Sequence, residues 1–267
     1  HPVAHSFPTR RSSDLRNKIP NPEDRVAPVF ELSPFSSILD WTVATEKFLS
    51  TGDAGSLCAL TRLEVGRQAR ESGGVPATKD YKTLAEHLSR LSGELASNRI
   101  YGISSTVKRL KESLEKAREV RDDSLTPLIG LLDRIDNKIS GLYANRDDEV
   151  RKGLSVVEWC LEHNLIQQAL TVFQEIVITK IAINHDADFN DTETRKVISK
   201  DIHRAFNEKK PGKYAVDKEL ANIYYTLSEY RNDINHAGYR ENKHKPDKFS
   251  QVVTDKLEEL RRYLNVK

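Results

Sequence analysis

The sequence contains no methionine, only two cysteines, and just 12 glycines and 10 prolines in 267 residues. Each shortage excludes something. So few glycines and prolines leave too few turn formers for an all-β sandwich. The cysteines, Cys58 and Cys160, lie in separate apolar helical contexts. They make neither a disulfide framework nor a zinc site, and a reducing cytoplasm is the expected compartment. No apolar run reaches the roughly 18 residues that a membrane-spanning helix needs. The longest candidate, Ala169 to Ile183, is interrupted by Thr171, Gln174, Glu175, Thr179 and Lys180, and reads as a buried helix. No membrane partner is expected. A strong charge of either sign is lacking too: 42 Lys and Arg against 40 Asp and Glu leave +2. No overall field therefore draws the chain onto nucleic acid, and any RNA contact would come from a local patch.

Without methionine, and with His1 at its head, the sequence is expected to be a fragment or a misjoined reading frame. The opening HPVAHSFPTRRSSDL has no usable periodicity and clusters Pro, Ser and Arg. It reads as translated adaptor or vector sequence, with an Arg- and Ser-rich transit peptide as the competing reading. Residues 1–26 are expected to be a disordered leader and loop.

What is present favours helices. Charged residues make up 31% and hydrophobic ones 37%, which suits a charged surface around a helical core. Residues 27–32 (APVFEL), bounded by Pro28 and Pro34, form the one credible strand. Beyond it the spacing predicts helices throughout. In the first, Phe35, Ile38, Leu39, Thr42, Val43 and Glu46 follow helical spacing, with Trp41 and Phe48 on nearby faces, and Gly52 stops it. Later helices carry the stripes Leu84, Leu88, Leu91, Leu95, then Val107, Leu110, Leu114, and finally Phe249, Val252, Val253, Leu257, Leu260, Leu264. The expected fold class is all-α.

The segment EYRNDINHAG holds Arg231, Asn232 and His236. Leu220, Ile223, Tyr224, Leu227 and Ile234 form one stripe of the helix leading into it. At about 100° per residue Arg231 falls about 20° from Leu220, inside that stripe. An unpaired buried guanidinium is costly, so an acid, a second subunit or a phosphate is expected to meet it. His236 lies about 140° further round a straight helix. The two converge only if the helix bends or ends near Ala237-Gly238, or if two copies face each other. The pair suits RNA cleavage. RNA carries its own nucleophile, the 2′-hydroxyl. An imidazole can move its proton near neutral pH, and a guanidinium can hold the phosphate. Asn232 could orient either group. A surface Arg-Asp pair beside a solvated histidine is the plain alternative.

YRNDINHAG resembles the R-N-x-x-x-H motif of HEPN ribonucleases, and the chain looks like the effector region of the CARF–HEPN ribonucleases of type III CRISPR systems. APVFELSPFSSILDWTVATEKFLSTGD resembles the junction where that family's sensor domain ends, and LIQQALTVFQEIVI its central helix. The resemblance spans roughly residues 26–265. It implies Arg231 and His236 as a catalytic pair, with Asn232 beside them, in a composite site of a homodimer. It also implies metal-independent cleavage of single-stranded RNA, with no cofactor for catalysis and no DNA partner. In that family a sensor domain binds cyclic oligoadenylate as activator. No alternating β and α pattern precedes residue 27, so that domain is expected to be missing here. Residues 27–150 then read as a helical linker region, and 151–267 as the HEPN nuclease domain.

Gln168 and Glu175, one heptad apart, could support Arg231 or make a helix–helix contact. Arg240, Lys243, His244, Lys245 and Lys248 could hold RNA phosphates or line a solvated loop. Three rival functions stand beside the nuclease. A metal-dependent phosphohydrolase would use His185 and Asp186 with Asp188 and Asp191, His163 and His203 serving by default. A non-catalytic dimerisation or scaffold module would carry an inert motif. A plain RNA-binding module would bind without turnover.

Overall fold

The computed structural model describes residues 33–71, 78–119, 126–142, 148–208, 210, 212–241 and 243–265. The expected leader (1–26) and strand (27–32) lie outside the described residues. Of a first unit, His1–Ser37, only the opening turn of the first helix is described. Everything below concerns the second, Ile38–Lys267.

The described residues form ten helices and no strand, as the all-α expectation holds. They are α1 (Ser33–Thr51), α2 (Gly55–Glu71), α3 (Thr78–Ala96), α4 (Ile100–Glu119) and α5 (Thr126–Ser140), followed by α6 (Glu149–Glu162), α7 (Ile166–Asn184), α8 (Thr192–Asn207), α9 (Lys218–Asn235) and α10 (Lys248–Tyr263). Three of the starts are capped by aspartates. Asp148, Asp191 and Asp217 accept the backbone N–H of Val150, Thr194 and Glu219 at the heads of α6, α8 and α9. Each satisfies a donor that has no partner inside its helix.

Several helix ends share one device, a residue with positive φ. It is Asn98 after α3, Asn164 after α6, Asp186 after α7 and Asn265 after α10. Asn and Asp tolerate that conformation better than other side chains. After α9 the residue is Ala237, φ 51°, which has no such excuse. At Gly52, φ 72°, the need is steric as well: a Cβ there would lie 3.2 Å from the Trp159 indole nitrogen.

Neighbouring helices pack in sequence order, α2 on α3 on α4 and α6 on α7. The stripes on α3 and α4 are buried as expected, and on α10 Val252, Val253, Leu257 and Leu260 are buried while Phe249 and Leu264 pack half-buried at its ends. On α1 the buried face is instead Trp41, Ala44 and Phe48, while Ile38, Leu39 and Val43 stay 46–62% exposed. Phe48 meets Trp159 of α6, with ring centroids 6.3 Å apart. Trp159 also stacks on His163, whose Nε2 reaches the Leu49 carbonyl of α1 at 3.2 Å. Position 150, the expected domain boundary, falls in the first turn of α6 within this unit.

α7 is the central helix. It is long and apolar enough, by length and composition, to cross a membrane, yet more than half of it is buried in the bundle. It contacts α6, α8, α9 and α10. Against α6 the approach is close: a Cβ on Gly153 would sit 2.5 Å from Ile176 Cγ1. Burying Leu170, Phe173, Val177 and Ile181 in this way contributes roughly 1.5–3 kcal/mol per side chain against leaving it exposed. One polar side chain of α7, Gln174, is nearly as buried as they are, and it points to the site.

Candidate functional site

α9 carries the motif because its apolar stripe binds α7 and α8. Leu220, Ile223 and Leu227 are fully buried, and Tyr224 and Ile234 pack at the edge of the core. Arg231, continuing that stripe, is half-buried. Its guanidinium donates from Nη1 to Gln174 Oε1 on α7, and Gln174 Nε2 donates onward to Ser228 Oγ. Among the described residues of the chain, the group that meets Arg231 is a neutral amide and not an acid.

Neither helper weighed on α7 reaches Arg231. Glu175 is engaged by Arg195, which donates to its carboxylate from Nη2 at 2.5 Å and to its carbonyl at 3.0 Å. Arg195 also holds Phe189 O and Thr179 Oγ1, so it ties α8 and the preceding loop to α7. Gln168 donates to the Ala96 carbonyl at 3.4 Å. Gln174 was missed, although a glutamine in the middle of an apolar run was itself the signal.

α9 ends at Asn235, and His236 is its exposed C-cap, with its backbone N–H on Asn232 O. The helix thus stops where convergence with Arg231 would require. Within one chain, however, no hydrogen bond joins the His236 ring to Arg231 among the described residues. Asn232 is half-buried between them in sequence.

The residues after the motif fold back onto α9. Asp233, 2% exposed, accepts the His244 backbone N–H at 2.6 Å and faces its Nδ1 at 3.3 Å. That backbone N–H, followed by the imidazole, holds the Asp233 carboxyl below the usual carboxylate range against the opposing effect of burial. The other oxygen, Oδ1, is buried with no hydrogen-bond partner among the described residues. The His244 ring stacks on Tyr230, 3.8 Å between centroids, and Tyr230 meets Phe249 edge-on. Arg240 turns back as well, to the Glu229 carboxylate and carbonyl, each at 3.2 Å. Of the five basic residues considered for phosphate, Arg240 and His244 are therefore engaged internally. Lys243, Lys245 and Lys248 remain exposed.

The residues of the metal-site reading take local roles. His185 caps α7 and its Nε2 lies 2.7 Å from Ala215 O. Asp188 accepts from Asn190 N, and Asp191 caps α8. His163 is buried against Trp159 and Leu49 carbonyls, and His203 meets Asn207. Among the described residues no three His, Cys, Asp or Glu side chains gather as a metal site. Both cysteines are buried and free, and burial pushes the Cys160 thiol up to about 12.

Residues 37–145 match the family model described as CRISPR-associated protein MJ1674, second domain. That match supports a CRISPR-associated protein with a role in CRISPR defence. No curated protein matches the chain. The matched segment takes in α1 to α5, less than half the chain, and ends before α6. The motif on α9 therefore lies outside it. A cavity of about 500 Å³ between the Asn98–Gly102 turn and α7 is lined partly by Arg195 and Glu175. Arg231, Asn232 and His236 do not line it; they sit at the exposed end of α9.

Proposed function

We propose that this chain is a metal-independent endoribonuclease of CRISPR defence, cutting single-stranded RNA with Arg231 and His236. One observation carries the reading: Arg231 is a half-buried cation whose partner in the chain, Gln174, has no charge to cancel it. A positioned guanidinium with no acid partner among the described residues, at the end of a helix, is suited to a phosphodiester. In the cleavage step the 2′-oxygen attacks phosphorus and the bond to the 5′-oxygen breaks. The 2′-hydroxyl proton passes to an imidazole, and an imidazolium returns one to the leaving 5′-oxygen. Arg231 offsets the charge growing on the phosphate, and Asn232 orients it. The products are a 2′,3′-cyclic phosphate and a 5′-hydroxyl. DNA, lacking the 2′-hydroxyl, would not be cut.

The exposed His236, unattached to Arg231 of its own chain, favours a composite site in a homodimer. Two α9 ends would then face one another across the scissile phosphate. Any activation by cyclic oligoadenylate would come from a sensor domain, and the enzyme would work in the cytoplasm. A second reading, a dimerising scaffold with an inert motif, is favoured by one feature, the exposed Ile38, Leu39 and Val43 on α1.

The test is cleavage of a fluorescent single-stranded RNA in EDTA by the parent, Arg231→Ala and His236→Ala. Cutting by the parent alone, with cyclic phosphate ends, is the expected result. Silence from all three would leave a scaffold or an enzyme that needs its sensor, and equal cutting by all three would move the site elsewhere.

A further inference from the structure

Tyr239 is 94% exposed, the most exposed of the large hydrophobic side chains described. It stands three residues beyond His236, and the backbone between them is tightly defined. Ala237 and Gly238 have φ of 51° and 73°. Gly238 N–H donates to Asp233 O at 3.1 Å and Tyr239 N–H to His236 O at 2.9 Å. Two central residues of positive φ closed by such a bond make a tight turn of the primed kind, which brings its end Cα atoms within about 7 Å. The turn thus brings the Tyr239 backbone close to that of His236, and the exposed phenol makes no ring contact among the described residues.

The segment that follows is fastened at two points, Arg240 to Glu229 and His244 to Asp233 and Tyr230. Because His244 is turned inward, its neighbours Lys243 and Lys245 face solvent. An exposed aromatic ring and two lysines on one tethered loop, next to a candidate phosphate site, form the combination that binds single-stranded nucleic acid. The ring takes a base face, and the cations follow the backbone. A base within a duplex is already stacked on both faces and cannot be taken this way.

We infer that Tyr239 is a stacking platform for a base flanking the cleaved phosphate, with Lys243 and Lys245 on the adjoining backbone. This rests on the reading of Arg231 and His236 as the RNA site. It adds a reason for preferring single strands, because the platform needs an unstacked base.

The experiment measures binding without turnover. A fluorescent RNA with every 2′-hydroxyl methylated cannot cleave itself, so its affinity for the full chain can be read by anisotropy. Tyr239→Ala should weaken binding about tenfold, and Tyr239→Phe should stay within about twofold of the parent, since it keeps the ring. Lys243→Ala with Lys245→Ala should lower the salt dependence of binding. The duplex of the same sequence should not distinguish Tyr239→Ala from the parent. Equal single-strand affinity for Tyr239→Ala and the parent would overturn the platform even if cleavage of ordinary RNA is intact. So would a switch from dimer to monomer in Tyr239→Ala at matched concentration, which would assign the ring to a subunit contact. Tyr239-dependent binding with no cleavage of ordinary RNA would sustain the platform and sink the nuclease. An absence of binding by the parent would remove both.

Discussion

Asp233 and His244 form a latch across the end of α9: one carboxylate oxygen takes both the backbone N–H and the ring of a residue 11 positions later. The carboxylate belongs to the motif helix and the histidine to the loop beyond it, so the latch fixes how the loop is presented. Asp233→Ala should release the loop, lower the urea midpoint and raise the KM for RNA more than it lowers kcat. Asp233→Asn, which still accepts the backbone N–H, should recover most of the midpoint. An unchanged midpoint and KM in Asp233→Ala would show that the loop is held without it.

The neutrality of Gln174 leads to a sharper test. Gln174→Glu keeps the shape and the contact but cancels the charge of Arg231. Cleavage at pH 7 should fall at least about tenfold, as for loss of a transition-state stabiliser, while the guanidinium stays in place. Full activity in Gln174→Glu would mean that the Arg231 charge is not used on phosphate.

Acid should weaken the fold earlier than the carboxylates alone would. Burial, ahead of all other causes, pushes the imidazoles of His163 and His87 below their usual value. In the unfolded chain both protonate near about pH 6.5. As pH falls through that value the unfolded state takes up protons that the folded state refuses, so stability is lost. The urea midpoint should drop between about pH 7.5 and about pH 5.5. A flat or rising midpoint over that interval would contradict the assignment. The lowered carboxyls of Asp136 and Asp233 act in the same direction at lower pH, stabilising fully above the ordinary carboxylate range and failing as pH falls below it.

Ala237 offers a stability gain at the site itself. A left-handed alanine costs roughly 1–2 kcal/mol, and glycine removes that strain at some cost in unfolded-state entropy. Ala237→Gly should raise stability by about 0.5–1 kcal/mol in urea unfolding. A loss of stability would mean that the methyl group is needed for packing.

The helices were legible because their stripes have one dominant face. Leu84, Leu88, Leu91 and Leu95 can be buried together in only one rotation of α3. α1 was harder, since Ile38, Leu39 and Val43 compete with Trp41, Ala44 and Phe48, and only the packing on α6 decides between them. That Arg231 continues the apolar stripe was readable from its angle on α9. Its partner was not, because choosing Gln174 over Glu175 depends on the register of α7 against α9. The inward turn of His244 was hidden for a similar reason: a basic run looks solvated until a buried acid elsewhere claims one member of it.

The contact of α1 with α6 matters for anyone preparing the protein. A shortened gene starting at residue 151 would keep the motif helix but strip Phe48 from Trp159 and the Leu49 carbonyl from His163. Such a product would display a bare tryptophan on its outer face and tend to precipitate. For expression, the smallest sensible piece begins with α1.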